Sequence, residues 1–151
     1  MRLMGLDVGD RTIGVALSDE LGITAQPLTV IRRTESVKKD LAEVRRLVEE
    51  NGVGKIIIGL PLMMDGTVGI QAEKVEAFTE ALRRRVRADI VMWDERLTTS
   101  EVERMLIAAD ESRAKRKEVI DKLEASIILR SYMDSQPSGS LASEESAENE
   151  Q

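Results

Sequence analysis

The chain has neither cysteine nor histidine among its 151 residues. Disulfide scaffolding, a thiolate nucleophile, a Ser-His-Asp relay and any zinc site built on Cys or His are therefore excluded. Aromatic residues are almost as scarce, with one Trp, one Tyr and one Phe. That leaves no stacking platform of the kind single-strand nucleic-acid binders use, and Trp93 reads as strand-end packing. The longest nearly unbroken apolar run, Ile56 to Met64, falls far short of the roughly 18 residues that suggest a membrane span. No signal-peptide pattern is readable, so a soluble cytoplasmic protein with no membrane partner is expected. Chemistry must come from carboxylates, hydroxyls, Lys, Arg or a hard metal ion.

The composition, 42% apolar, suits one domain with a single core. Net charge is −6, but it is unevenly placed: residues 135–151 hold Glu144, Glu145, Glu148 and Glu150 and no Lys or Arg, which leaves residues 1–134 at −2. Local basic clusters can thus still meet a polyanion. The segment from Ser135 onward has the composition of a disordered acidic tail, so the expected organisation is a domain at 1–134 followed by a tail at 135–151.

Three strand-like segments open the chain, at Leu3 to Val8, Thr12 to Ser18 and about Pro27 to Arg32. Their short connections favour an antiparallel meander. Val37, Leu41, Val44 and Val48 recur at helical spacing, with Gly52 placed to end the helix. Lys55 to Gly59 is a buried-strand pattern, Gln71 to Val86 a second helix, and Asp89 to Trp93 a fifth strand. Thr98-Thr99-Ser100-Glu101 supplies a capping box for a third helix, and a longer one is expected at about Ala114 to Met133. The fold class predicted is α/β: a five-stranded mixed sheet, three antiparallel N-terminal strands followed by a parallel β-α-β unit, flanked by helices.

Asp7 is the most informative residue. It is a carboxylate between Leu6 and Val8 in an apolar strand, and burying it without a partner is costly. The glycine-flanked turn that follows places it near the open end of a hairpin, where a metal or phosphate ligand belongs. Glu95 follows the fifth strand and Asp121 lies inside the last helix. If the first, fourth and fifth strands run parallel, Asp7 and Glu95 emerge at the same C-terminal edge, and a helix packed across that edge could deliver Asp121. Three acids brought together repel one another unless a cation neutralises them. Mg²⁺ or Mn²⁺ is the natural answer, and such a pair activates water for in-line displacement at a phosphodiester.

The ordered set Gly5-Leu6-Asp7-Val8-Gly9, Ile13-Gly14-Val15-Ala16 with Ser18-Asp19, Gly59-Leu60-Pro61 with Met64-Asp65-Gly66, Asp94-Glu95-Arg96-Leu97-Thr98-Thr99, and Asp121 before Ile128-Leu129 resembles the YqgF (RuvX-like) family over residues 2–134. The resemblance implies a ribonuclease H-like fold related to the RuvC junction resolvases. It also implies nuclease activity, either maturing the 5′ end of precursor 16S ribosomal RNA or resolving four-way DNA junctions. Carried over, the family's catalytic and metal-holding acids fall on Asp7, Glu95 and Asp121. One position departs from the family pattern: Glu124 stands where a small residue is usual, with no Lys or Arg at i±3 or i±4. It reads as a partly exposed helix residue, with a fourth metal-site acid as the alternative.

Among the cations, Arg83-Arg84-Arg85 and Arg87 suit a solvated helix end. Arg113, Lys115, Arg116 and Lys117 crowd the start of the last helix, where the macrodipole disfavours positive charge. They are candidate contacts to a nucleic-acid backbone, as are Arg11 in the hairpin turn and Arg96 beside Glu95. The expected activity is a Mg²⁺- or Mn²⁺-dependent endonuclease on structured nucleic acid, with precursor ribosomal RNA first and branched DNA second as substrate. Junction resolution would call for a two-fold homodimer, because two symmetric strands are cut. A non-catalytic nucleic-acid-binding regulator and an actin-like nucleotide-binding module are the rival classes, and the second needs two such domains.

Overall fold

The computed structural model describes residues 1–97 and 113–137, the first ten residues of the last helix as backbone only. Five strands, β1 (Arg2–Val8), β2 (Thr12–Ser18), β3 (Ala25–Arg32), β4 (Val53–Leu60) and β5 (Asp89–Asp94), form one sheet in the order β3-β2-β1-β4-β5. The β1–β2 and β2–β3 pairs are antiparallel, whereas β1–β4 and β4–β5 are parallel. Helices α1 (Val37–Glu50) and α2 (Ile70–Arg83) make the parallel crossovers, a single 3-10 turn follows β5 at Glu95–Leu97, and α3 (Arg113–Ser135) closes the described chain. This is the predicted mixed sheet, with each strand within two residues of its expected bounds. The helix expected after Thr98 lies outside the described residues, as does the tail beyond Pro137. No helix among the described residues is long and apolar enough to cross a membrane.

The two-residue period of the strands assigns each side chain to a face. Met4, Leu6 and Val8 of β1, Ile13, Val15 and Leu17 of β2, and Ile56 and Ile58 of β4 face one way, into a core completed by Leu41, Val44 and Val48 of α1 and Val75, Phe78 and Leu82 of α2. Leu3, Ala16 and Ile57 face the other way, against Ala125, Ile128, Leu129 and Tyr132 of α3. Because β1 is central and covered on both faces, its apolar residues form a continuous run rather than an alternation. Asp7 shares the parity of Leu3 and Gly5, so it belongs to the α3 face.

That second layer is thin by design of its residues. A Cβ added at Gly5 would lie 2.5 Å from the Ala125 carbonyl oxygen and 2.9 Å from the Leu129 Cβ. Gly5 pairs across the sheet with the fully buried Ala16. A Cβ at Gly59 of β4 would come within 2.6 Å of Ile128 Cδ1. The strip Ala16-Gly5-Gly59 is therefore a seat that admits α3 at close range. Its far end is fixed by Trp93, whose Nε1 donates to Ser131 Oγ at 3.0 Å and whose ring meets Tyr132 edge-on at 5.5 Å between centroids.

A buried polar clamp joins α1 to the turn after Asp7. Ser36 caps α1 by accepting from the Lys39 amide, and the next carboxylate, Asp40, is 2% exposed. It accepts from the Thr34 amide at 2.9 Å, from Thr34 Oγ1 at 3.1 Å and from Arg33 Nε at 3.1 Å. Arg33 in turn donates from Nη1 to the Gly9 carbonyl at 2.9 Å and lies over the Phe78 ring. Burial alone would raise the Asp40 pKa, but the hydrogen bonds from Thr34 and Arg33 outweigh it and hold the carboxyl below its ordinary range. Breaking such a buried pair leaves an uncompensated charge. Asp40→Ala is expected to lower unfolding free energy by about 3–5 kcal/mol, measured by urea denaturation; a loss within the range of a surface ion pair would contradict this account.

Candidate metal and nucleic-acid site

Parallel pairing of β1, β4 and β5 brings Val8, Leu60 and Asp94 to one edge of the sheet. In open α/β sheets that edge is where ligands bind. Asp7 reaches it from the α3 face of β1, one residue before the strand ends. Glu95, two residues beyond Trp93, starts the 3-10 turn and returns toward the same face, where Gly59 leaves it room: a Cβ at Gly59 would stand 3.0 Å from Glu95 Oε1. From the opposite layer α3 contributes Glu124, the residue preceding its seat at Ala125. Carboxylate oxygens of Asp7, Glu95 and Glu124 lie within 4.8 Å of one another.

Glu124 is thus placed beside the two acids rather than turned away from them, although the sequence pattern reads it first as a helix-surface residue. Asp121 lies one turn earlier on the α3 backbone, and its side chain falls outside the described detail, as do those of Arg113, Lys115, Arg116 and Lys117. Arg11 is exposed in the β1–β2 turn, where its carbonyl accepts from the Arg33 amide at 2.8 Å.

Electrostatics of the cluster are strained. The Glu95 pKa is pushed up to about 8, first by burial, then by the negative charge of Asp7 and a hydrogen bond with it, and lastly by Asp94. The environment thus opposes a second full charge next to Asp7. Asp94 behaves in the opposite manner. Its carboxylate receives the Arg96 amide at 3.0 Å, Nε at 3.0 Å and Nη2 at 2.7 Å, and the Arg96 guanidinium lowers its pKa. Arg96 is therefore engaged by Asp94, which makes the pair a brace for the 3-10 turn that carries Glu95. Sequence reasoning assigned Asp94 no part; the Asp-x-Arg spacing at a strand end was the available signal.

The donor set consists of oxygen alone, and its members repel one another in the absence of a counter-charge. Both properties fit a hard divalent cation such as Mg²⁺ or Mn²⁺. The residues present can hold such an ion, with the strand and the turn contributing two donors from one side and α3 a third from the other.

The fold is of the ribonuclease H-like class. Among solved structures, Thermus thermophilus RuvC in complex with a Holliday junction substrate superposes with a TM-score of 0.58 at 15% identity, covering 89% of this chain and 97% of that one. The family model described as "RuvX: Holliday junction resolvase" matches residues 1–135, and the chain belongs to that family. Its relatives include a protein of Desulforamulus reducens, 55% identical over 89% of this chain and 98% of that protein. Another, from Thermoanaerobacter pseudethanolicus, is 56% identical over 90% and 98%. Both carry the name "Putative pre-16S rRNA nuclease".

The raised Glu95 pKa has a linkage consequence. A carboxyl whose folded-state pKa exceeds its unfolded value near 4.5 stabilises the fold fully below that value and loses the contribution as pH rises toward about 8. In the metal-free protein the thermal midpoint is expected to fall across this window, and saturating Mg²⁺ is expected to raise it more at the upper end than at the lower. Scanning calorimetry at several pH values with EDTA or Mg²⁺ checks this; a Mg²⁺ increment independent of pH would contradict it.

Proposed function

We propose that the chain is a divalent-metal-dependent endonuclease that hydrolyses phosphodiesters in structured nucleic acid, and that its substrate is the 5′ region of precursor 16S ribosomal RNA. The observation that carries this reading is the convergence of Asp7, Glu95 and Glu124 at the C-terminal sheet edge, in a chain of the RuvX family. The names of its relatives support the choice of RNA.

In this reading Asp7 and Glu95 hold the metal from the sheet side, and α3 supplies Glu124 and, by the family resemblance, Asp121. A divalent ion such as Mg²⁺ or Mn²⁺ held by these carboxylates would supply positive charge for the phosphate and acidify a bound water. The protein's own contribution is placement. Asp7 sits on the central strand of the sheet, so its backbone is fixed relative to the edge where the acids meet. Glu95 is held by the Asp94–Arg96 brace, and the burial and the Asp7 charge that raise its pKa mark the place where a counter-charge is needed. Arg11 and the basic segment containing Arg113, Lys115, Arg116 and Lys117 lie on elements that run to or from the same edge. We assign them to the phosphates flanking the cleaved bond, where each contact adds salt-dependent affinity.

A four-way DNA junction is the second substrate to be tested, since the family description names that activity. The deciding experiment compares a precursor 16S fragment and a four-way junction, with Mg²⁺ or Mn²⁺ against EDTA, for wild type and Asp7→Asn. Metal-dependent cutting of the RNA is expected, reduced by about 100-fold or more in Asp7→Asn, since outer-shell changes alone cost 10- to 100-fold. Cutting confined to the junction would move the substrate to DNA. Binding by both proteins without cleavage under either metal would overturn catalysis.

Glu124→Gln tests the metal set apart from activity. Titration calorimetry with Mn²⁺ is expected to show affinity weakened by about 10- to 100-fold with the circular dichroism spectrum unchanged. Unaltered affinity would remove Glu124 from the set.

A further inference from the structure

The segment between β4 and α2, residues 61–69, is exposed, yet it is neither polar nor loose. Met64 is 93% exposed, and Met63, Val68 and Ile70 around it are each about half or more exposed. Its backbone is closed by its own hydrogen bonds: Gly66 N–H to the Met63 carbonyl at 2.8 Å and Met63 N–H to the Thr67 carbonyl at 2.9 Å. With Gly66 at φ 89° this is a tight four-residue turn followed by a glycine bulge, and Met64 occupies its leading corner. Asp65 Oδ1 accepts from both the Thr67 amide at 3.0 Å and Thr67 Oγ1 at 2.7 Å, stiffening the tip. Met63 folds back on Gly69, and Met64 is the most exposed apolar side chain of the turn.

The turn is tied to the acid site at both ends. It leaves β4 two residues after Gly59, which adjoins the Glu95 carboxylate. Arg96, the neighbour of Glu95, donates from Nη1 to the Met64 carbonyl at 3.4 Å and lies over Gly66. The other apolar residues described that are more than half exposed, Leu21, Ile23 and Met1, lie at the opposite edge of the sheet, in the β2–β3 turn and ahead of β1.

The three aromatic rings of the chain are committed internally: Phe78 and Tyr132 are buried, and Trp93 is joined to Tyr132 and Ser131. None stands free to stack on a base. An aliphatic side chain on a rigid turn is the other means by which proteins part neighbouring bases, and methionine, unbranched and polarisable, contacts ring edges favourably.

Building on the nuclease reading above, we propose that Met64 is a wedge that enters a base step of structured RNA beside the phosphate presented to Asp7 and Glu95. Parting that step exposes the backbone where the helix would otherwise hold it against its neighbours. Arg96 and Asp94 set the angle of the turn, and Met64 makes the contact.

The test uses the full chain in EDTA, with an RNA stem and a four-way DNA junction that carry 2-aminopurine at successive positions. Fluorescence reports unstacking, anisotropy reports binding, and sedimentation velocity reports association state. Wild type is expected to raise fluorescence at one position in the RNA. Met64→Ala should abolish that rise while still binding within a few-fold, Met64→Leu should retain it, and the distant control Leu21→Ala should leave it unchanged. In Mg²⁺, Met64→Ala should lower kcat by about tenfold with little change in KM, because the wedge acts after docking.

RNA binding without a fluorescence rise, or with an equal rise in Met64→Ala, would overturn the wedge and leave the nuclease reading standing. A rise confined to the DNA junction would overturn the assignment to RNA. Failure of wild type to bind either nucleic acid would overturn both readings. A dimer that Met64→Ala converts to monomer would assign the turn to a second copy of the chain and overturn the wedge.

Discussion

The structure depends on how closely α3 approaches the sheet. A helix normally rests on side chains that keep it about 10 Å from a neighbouring layer, but here Gly5 and Gly59 offer none and Ala16 only a methyl. The Ala125 carbonyl and Ile128 occupy the space that a Cβ would take at each glycine. Glu124 immediately precedes Ala125, so the depth of this seat sets how far its carboxylate reaches toward Asp7 and Glu95. A methyl added to the strip would push the helix outward, at the roughly 1–3 kcal/mol typical of overpacking, and would withdraw Glu124 by the same movement. Core packing and site geometry here involve the same atoms.

Two electrostatic arrangements near this seat differ in kind. Asp40 is buried and Arg33 half-buried, and the groups they use are matched between α1, the β3–α1 connection and the Gly9 carbonyl. Asp7, Glu95 and Glu124 are only partly buried and are arranged at mutual expense, since like charges are brought within reach of one another. The first arrangement is what a fold uses to secure a turn. The second is destabilising unless something outside the chain completes it, and such locally unfavourable clusters are where ligands are expected. Beside the second arrangement, Asp94 and Arg96 neutralise each other while keeping the Glu95 turn in place.

Much of this was legible in the residues themselves. Apolar period and turn chemistry give all five strands and their directions, because a helix between two buried strands forces a parallel crossover whereas short connections force antiparallel pairs. Asp7 stood out because a charge inside a buried strand violates the local pattern, and Glu95 because parallel strands carry their ends to one edge. Glu124 was harder to place. The sequence places a helix there, but which of its residues meet the acids is decided by Gly5 and Gly59, distant in sequence and informative only once strand parity is known. The Asp40 clamp was hidden for a similar reason: an acid in the first turn of a helix is ordinary, and nothing local reveals that Arg33 and Thr34 fold over it. The tightness of the Met63–Gly66 turn follows from Asp65-Gly66, whereas its attachment to Arg96 depends on where β5 ends.

The seam between β5 and α3 has a practical corollary. The one tryptophan of the chain lies on β5 two residues before Glu95, with its indole N–H on Ser131 and its ring perpendicular to that of Tyr132. Its environment is therefore set in part by the helix that delivers Glu124. Indole emission from the unmodified chain thus gives an optical gauge of whether the two halves of the acid cluster are together.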